Sequence, residues 1–286
     1  MTPLLEPRLL ARLERLQLGT RRPLAGALAG EHRSPRHGAS LDFADYREYH
    51  PGDDFRRIDY HLYARLDVVL LKLFEAEDDV TVRLLIDTSG SMLGAKLAVA
   101  QRLAAALGFV ALVRRDVVTV HTFPLERTPP RFVGRGAVGA LFAHLAGLRA
   151  EGRTEFAQAA AHVLARPGPP GLTLLVSDLL TDEWEAGIRR LPARGGDLAV
   201  AHVLDAEELP ADLVGDLELV DRETGQTVAV SLSAEAFGAY RARSEAWSAE
   251  VAERCRQAGA AYTRVRADDD LEALLLGRFR QQGVLR

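Results

Sequence analysis

Asparagine is absent from this 286-residue chain, and lysine nearly so: of 36 basic residues two are Lys72 and Lys96, leaving 34 arginines. A GC-rich coding bias explains that usage more simply than avoidance of thermolabile amides, and neither bears on function. A single cysteine, Cys255, excludes an intramolecular disulfide and a cysteine-rich zinc site. Its place in a helical pattern makes it a small buried side chain. No stretch approaches 18 uncharged apolar residues, so no membrane-spanning helix is expected. The longest apolar run, Leu103 to Val113, is interrupted by Gly108 and flanked by Arg102 and Arg114. The start, Met1-Thr-Pro-Leu-Leu-Glu6, lacks the charged-then-apolar order of a signal peptide. Net charge is −4 and the pI about 6.1, so no global basic field for nucleic acid exists. These absences together lead to the expectation of a cytoplasmic protein.

What remains is ordinary globular composition, 48% hydrophobic and 27% charged. Leu5, Leu9, Leu13 and Leu16 recur at helical spacing, predicting an amphipathic helix over 4–18. Residues 19–40 are turn-rich and basic and read as a linker or arm. From residue 68 strands and helices alternate. Strands are expected at 68–75, 80–86, 117–123, 172–176, 198–204 and 261–266. Helices are expected at 96–114, 137–149, 155–166, 182–191, 234–258 and 270–282, with a hairpin over 216–231. Strands 68–75 and 80–86 are expected to pair. The alternation predicts an α/β domain over 80–286 with a doubly wound, mainly parallel sheet, and residues 1–79 as an N-terminal extension packed on it. Ligands of such sheets sit beyond the carboxyl ends of the strands.

Three strings fall on those ends. Asp87-Thr-Ser89-Gly-Ser91 follows the strand at 80–86. A carboxylate and two hydroxyls leaving a tight turn are hard oxygen ligands, suited to Mg²⁺, Ca²⁺ or Mn²⁺ rather than zinc. Asp87 could instead cap the following helix. Thr154 opens another helix and reads equally as a cap. Asp178 follows the strand at 172–176, where it could also cap helix 182–191 or pair with an arginine. In order and context, Asp87, Ser89, Ser91, Thr154 and Asp178 resemble the metal-ion-dependent adhesion site of von Willebrand factor A-like domains, over residues 80–286. The resemblance implies direct coordination by Ser89, Ser91 and Thr154, contacts through water from Asp87 and Asp178, and one open position for an acidic side chain of a protein partner.

A second string lies upstream, with Arg47, Tyr49, Pro51, Gly52, Asp53, Asp54, Arg56, Asp59 and Arg65 in register. It resembles the signature of the domain of unknown function 58 family, although Tyr60 stands where that signature commonly has Trp. The resemblance implies a neighbouring von Willebrand A-like region and a partnership with a MoxR-type AAA+ ATPase. Read by itself, the segment is a salt-bridged brace or a binding surface. No phosphate-binding loop, His-Glu-x-x-His pair or Gly-x-Ser-x-Gly elbow is present. The expectation is therefore a non-enzymatic, divalent-cation-dependent binding module. A structural adaptor with a vestigial site and a metal-dependent hydrolase are the alternatives.

Overall fold

The computed structural model describes residues 3–19, 42–50, 53, 55, 58–75, 81–123, 128–166, 171–205 and 215–286. It divides into two compact units, Met1–Arg22 together with Val80–Arg286, and Pro23–Asp79. From residue 20 onward the basic arm lies outside the described residues, as do Pro51, Gly52, Asp54 and Arg56.

In the smaller unit, β1 (Asp42–Glu48) and β2 (Leu70–Glu75) pair antiparallel, with a register shift between Phe43 and Asp45. The helix α2 (Tyr60–Leu66) starts at Asp59, whose Oδ1 accepts from the backbone N–H groups of His61 and Leu62 at 3.0 and 3.2 Å.

The larger unit begins with α1 (Pro7–Leu13). Its Leu9 and Leu13, with the preceding Leu5, join the main apolar core, so the first helix belongs to this unit and not with residues 23–79. The sheet follows. Its strands are β3 (Thr81–Asp87), β4 (Val117–Phe123), β5 (Arg131–Val133), β6 (Gly171–Ser177), β7 (Asp197–Leu204) and β10 (Ala261–Arg266), in the order β10-β7-β6-β3-β4-β5. All neighbours are parallel except β5, which is antiparallel to β4. The expected pairing of the strand at 68–75 with that at 80–86 is not formed. β3 is bonded on both edges, by β4 and β6, and β2 pairs β1.

Side chains of β3 alternate between two apolar layers, as the pleat requires. Val82, Leu84 and Ile86 enter one with α3 (Ala95–Val113) and α4 (Val138–Gly147), and Leu85 enters the other with α5 (Phe156–Ala165), α6 (Trp184–Arg190) and α7 (Ala234–Gln257). The outcome is a mixed α/β unit whose mostly parallel sheet carries helices on both faces. α3 is apolar and long enough, at 19 residues, to span a bilayer, but 78% of its apolar window is buried inside the protein, where it serves as the core helix. Cys255 is buried on α7, and burial pushes its thiol up to about 12, leaving it inert as a thiolate. After β10, a turn of α-helix (Leu271–Ala273) runs into a π-helical stretch (Leu274–Phe279). A separate two-stranded hairpin, β8 (Gly215–Val220) and β9 (Thr227–Leu232), precedes α7.

Candidate metal centre

From β3 the chain crosses to β4 on one side, then returns past β3 to β6 on the other. Connections therefore diverge between β3 and β6, which opens a crevice at their carboxyl ends. Asp87 is the last residue of β3. Asp178 follows the last residue of β6, and the two strands run in register with Ile86 opposite Val176. Both carboxylates are fully buried.

The loop after β3 is tightly organised. The Ser89 backbone N–H donates to Asp87 Oδ1 at 2.9 Å, and the Ser89 and Ser91 hydroxyls lie 2.9 Å apart. The Ser177 hydroxyl donates to Asp87 Oδ2 at 2.6 Å, and its oxygen accepts from the Leu179 N–H at 2.9 Å. Leu179 has φ of 57°, a left-handed conformation costly for a bulky residue, held here by burial of its side chain. Backbone bonds stitch in the third loop: Gly90 N–H donates to the Gly152 carbonyl at 2.9 Å and Glu151 N–H to the Thr88 carbonyl at 2.8 Å.

None of the three residues caps a helix as its alternative reading required. The cap positions of α3, α5 and α6 are Gly94, Glu155 and Glu183, none with a side-chain cap bond. Asp178 pairs with a lysine, not an arginine: Lys96 Nζ donates to Asp178 Oδ2 at 2.8 Å, with both groups buried. Asp178 Oδ1 also accepts from the Leu180 N–H at 3.2 Å. Thr154 stands apart. Its hydroxyl and its N–H both donate to the Glu223 carboxylate, at 2.8 and 3.1 Å.

Among the described residues no group of three or more His, Cys, Asp or Glu side chains could hold a metal ion by itself. The donor set here is different in kind, two carboxylates completed by hydroxyls. Its chemistry fits a hard cation: Asp87, Ser89, Ser91 and Asp178 offer only oxygen. With both carboxylates ionised, Asp87 and Asp178 (−2) and Lys96 (+1) sum to one net negative charge. Beside it lies an open cleft of about 910 Å³, whose walls include Arg153, Leu180, Asp182, Trp184 and Trp247.

Burial, then the charge of Asp178, pushes the Asp87 carboxyl up to about 7, against hydrogen bonds from Ser177 and Ser89 that favour its ionised form. Behind the centre, His202 is pushed down to about 4, chiefly by burial. Its Nε2 lies 3.1 Å from the Asp178 carbonyl and its Nδ1 2.9 Å from the Tyr262 hydroxyl, and Trp247 meets its ring edge-on at 4.9 Å. The two groups tilt stability in opposite directions. Between its ordinary 3.8 and about 7, Asp87 holds a proton in the folded state that the unfolded chain has lost, so its contribution falls as pH rises. Between about 4 and 6.5, His202 lacks a proton that the unfolded chain holds, so its contribution rises with pH. Asp87→Asn removes the first alone. In chelator, the stability of Asp87→Asn relative to wild type should therefore climb from about pH 4 to about pH 7, by at most ~1.4 kcal/mol per pH unit. Urea midpoints measured at several pH values check this, and a pH-independent difference would refute it.

Among the described upstream signature residues, Arg47 and Asp53 bond each other within the smaller unit. Arg47 donates to Asp53 Oδ1 and the His50 N–H to Asp53 Oδ2, both at 2.9 Å. The His50 N–H bond, then Arg47, holds the Asp53 carboxyl below the usual carboxylate range. The Tyr46 hydroxyl donates to Asp59 Oδ2 at 3.0 Å, the Tyr49 N–H donates to the Val69 carbonyl, and Arg65 lies exposed on α2.

Four residues of the centre were not among the sequence candidates: Lys96, Ser177, His202 and Glu223. Lys96 had a signal, being one of two lysines in an arginine-rich chain, since a compact ammonium fits a buried site that a guanidinium fork does not. Ser177 directly precedes Asp178. His202 and Glu223 reach the site only through tertiary structure.

The chain is 29% identical over 296 residues to the uncharacterized protein Rv1480 of Mycobacterium tuberculosis, covering 98% of this chain and 92% of that one, and equally so to Mb1516 of Mycobacterium bovis. Solved structures with some likeness are BatB from Bacteroides thetaiotaomicron (TM-score 0.42, 15% identity) and an aerotolerance-related membrane protein from Bacteroides fragilis (TM-score 0.43, 16% identity). Each match covers 71% of this chain and 98% of the other. Similarity at that level carries no functional inference. The model of the protein family of unknown function DUF58 matches residues 45–250, most of the larger unit and the end of β1 through β2 in the smaller one, and the chain belongs to that family.

Proposed function

We propose that the protein is a non-enzymatic, divalent-cation-dependent protein-binding module of the von Willebrand factor A type, working as an adaptor or co-chaperone with a MoxR-type AAA+ ATPase in the cytoplasm. The observation that carries the reading is the oxygen set of Asp87, Ser89, Ser91 and Asp178 at the divergence of β3 and β6, with Lys96 beneath it. These residues would hold Mg²⁺, or Mn²⁺ or Ca²⁺, and Thr154 would join them. The ion supplies an electrophilic point for an anionic ligand. With it bound and both carboxylates ionised, the centre carries one net positive charge. An acidic side chain from a protein partner then completes neutrality, which makes carboxylate capture favourable in a way that two carboxylates alone would not.

The arrangement gives a hydrolase little support. A general base must reach the reacting water, yet both ring nitrogens of His202 are engaged. The buried Lys96–Asp178 pair favours a second reading, an adaptor whose ammonium has replaced the ion. That reading requires partner capture to be indifferent to chelator.

Isothermal titration of Mg²⁺ and Mn²⁺ into wild type and Asp87→Ala separates the two. Wild type should give saturable heats and Asp87→Ala none, with the circular dichroism of both unchanged. Equal heats from the two proteins would sink the metal reading. The ATPase partnership is tested by co-purification of a MoxR-type ATPase with and without EDTA.

A further inference from the structure

The hairpin β8–β9 stands out from the larger unit with most of its residues exposed, including Val220 and Val228 at 60% and 58%. Its tip nevertheless has a defined seat. Asp221 Oδ1 accepts from the N–H groups of Glu223 and Thr224 at 2.8 and 3.2 Å, and the Gly225 N–H donates to the Asp221 carbonyl at 2.8 Å. This tight turn presents Glu223 to Thr154, where the carboxylate accepts from both the hydroxyl and the N–H. One residue earlier, the Arg222 carbonyl lies so close to Gly90 that a Cβ on Gly90 would come within 2.9 Å of it. The tip thus rests on the Ser89–Ser91 loop and on the Thr154 loop together.

We propose that Glu223 is a built-in acidic ligand. The hairpin tip takes the place that a partner's carboxylate would take, and a partner must displace the hairpin to bind. This rests on the metal reading above. Charge supports it, because a metal-loaded centre with one net positive charge attracts the nearest carboxylate, and Glu223 is already in position beside Thr154. Shape supports it as well. The partner's acid must arrive as Glu223 does, on a tight turn narrow enough to pass over Gly90. The chemistry of the partner follows: an exposed turn bearing Asp or Glu, in contrast to a helix face or an extended acidic tail.

The test uses the full chain and a backbone-cyclised peptide carrying residues 219–228, which reproduces the tip in trans. A control peptide has Gln in place of its Glu. In Mg²⁺, Glu223→Ala should bind the peptide at least ~10-fold more tightly than wild type, with Glu223→Gln between them, and the control peptide should not bind. Hydrogen exchange should speed up at the Thr154 amide and across 221–225 in Glu223→Ala. Equal peptide affinity for the three proteins, with metal heats intact, would overturn the latch alone. Tighter peptide binding that persists in EDTA would also overturn it. Absence of metal heats in wild type and variants alike would overturn the metal reading and the latch with it.

Discussion

Lys96→Met should destabilise the protein in chelator by roughly 3–5 kcal/mol, the usual cost of leaving one member of a buried ion pair alone. Lys96 sits on the first turn of α3 and is only 5% exposed, and Asp178 is fully buried. Methionine keeps the apolar stem and loses the ammonium. Buried Asp178 then loses its ammonium partner, with the Asp87 carboxyl close enough to feel its charge. Mg²⁺ should restore much of the loss, because an ion that binds only the folded state stabilises it by about 2.7 kcal/mol at 100 times its dissociation constant. The second substitution Asp178→Asn, added to Lys96→Met, should recover stability in chelator while abolishing the response to Mg²⁺. Urea unfolding of the three proteins with Mg²⁺ or EDTA reads all of this. A variant Lys96→Met as stable as wild type in EDTA would mean that the pair contributes nothing.

Gly171→Val should be the most damaging single change at the opposite end of the sheet. A Cβ on Gly171 would stand 2.0 Å from the Thr81 carbonyl oxygen, and one on Gly196 would stand 2.2 Å from the Gly171 carbonyl oxygen. There β3, β6 and the entry to β7 approach too closely for side chains, and the obstacle is backbone in the middle of the sheet, which has no rotamer to change. Overpacking typically costs about 1–3 kcal/mol, and a clash with fixed backbone should reach or exceed the top of that range. Gly238→Ala provides the opposite sign. That glycine lies in α7 with open space around its Cβ position, so alanine should add roughly 0.5–1 kcal/mol through helix propensity. Thermal midpoints that move the same way for both variants would contradict this account.

The periodic elements were legible in the sequence because burial writes a period into it. Strand 261–266 and strand 117–123 have the expected bounds, and helices α3 to α7 lie within a residue or two of expectation, whereas the first helix spans Pro7–Leu13 and not 4–18. β5 escaped because three residues beside Pro129 and Pro130 carry no period. α2 escaped because it buries none of its residues, so no apolar stripe marks it, although Asp59 is a good start signal. The pairing of 68–75 with 80–86 failed for a topological reason. A short acidic turn between two apolar runs suggests a hairpin, but whether an edge is free depends on strands far away in the chain, and β3 has none. The candidate site divides the same way. Asp87, Ser89, Ser91 and Asp178 announce themselves by following apolar strands, and the structure gathers them. Glu223 lies 69 residues from Thr154 in an exposed turn, where nothing local distinguishes it from a solvated acid.

Both tryptophans of the chain, Trp184 and Trp247, line the cleft beside the hairpin tip. Trp247 also touches His202, which in turn holds the Asp178 carbonyl. All indole emission from this protein therefore originates within one neighbourhood of the candidate centre. No dye or engineered label is needed to watch that neighbourhood. Ordinary ultraviolet excitation, in unmodified protein and even in crude mixtures with tryptophan-free peptides, reports on it selectively.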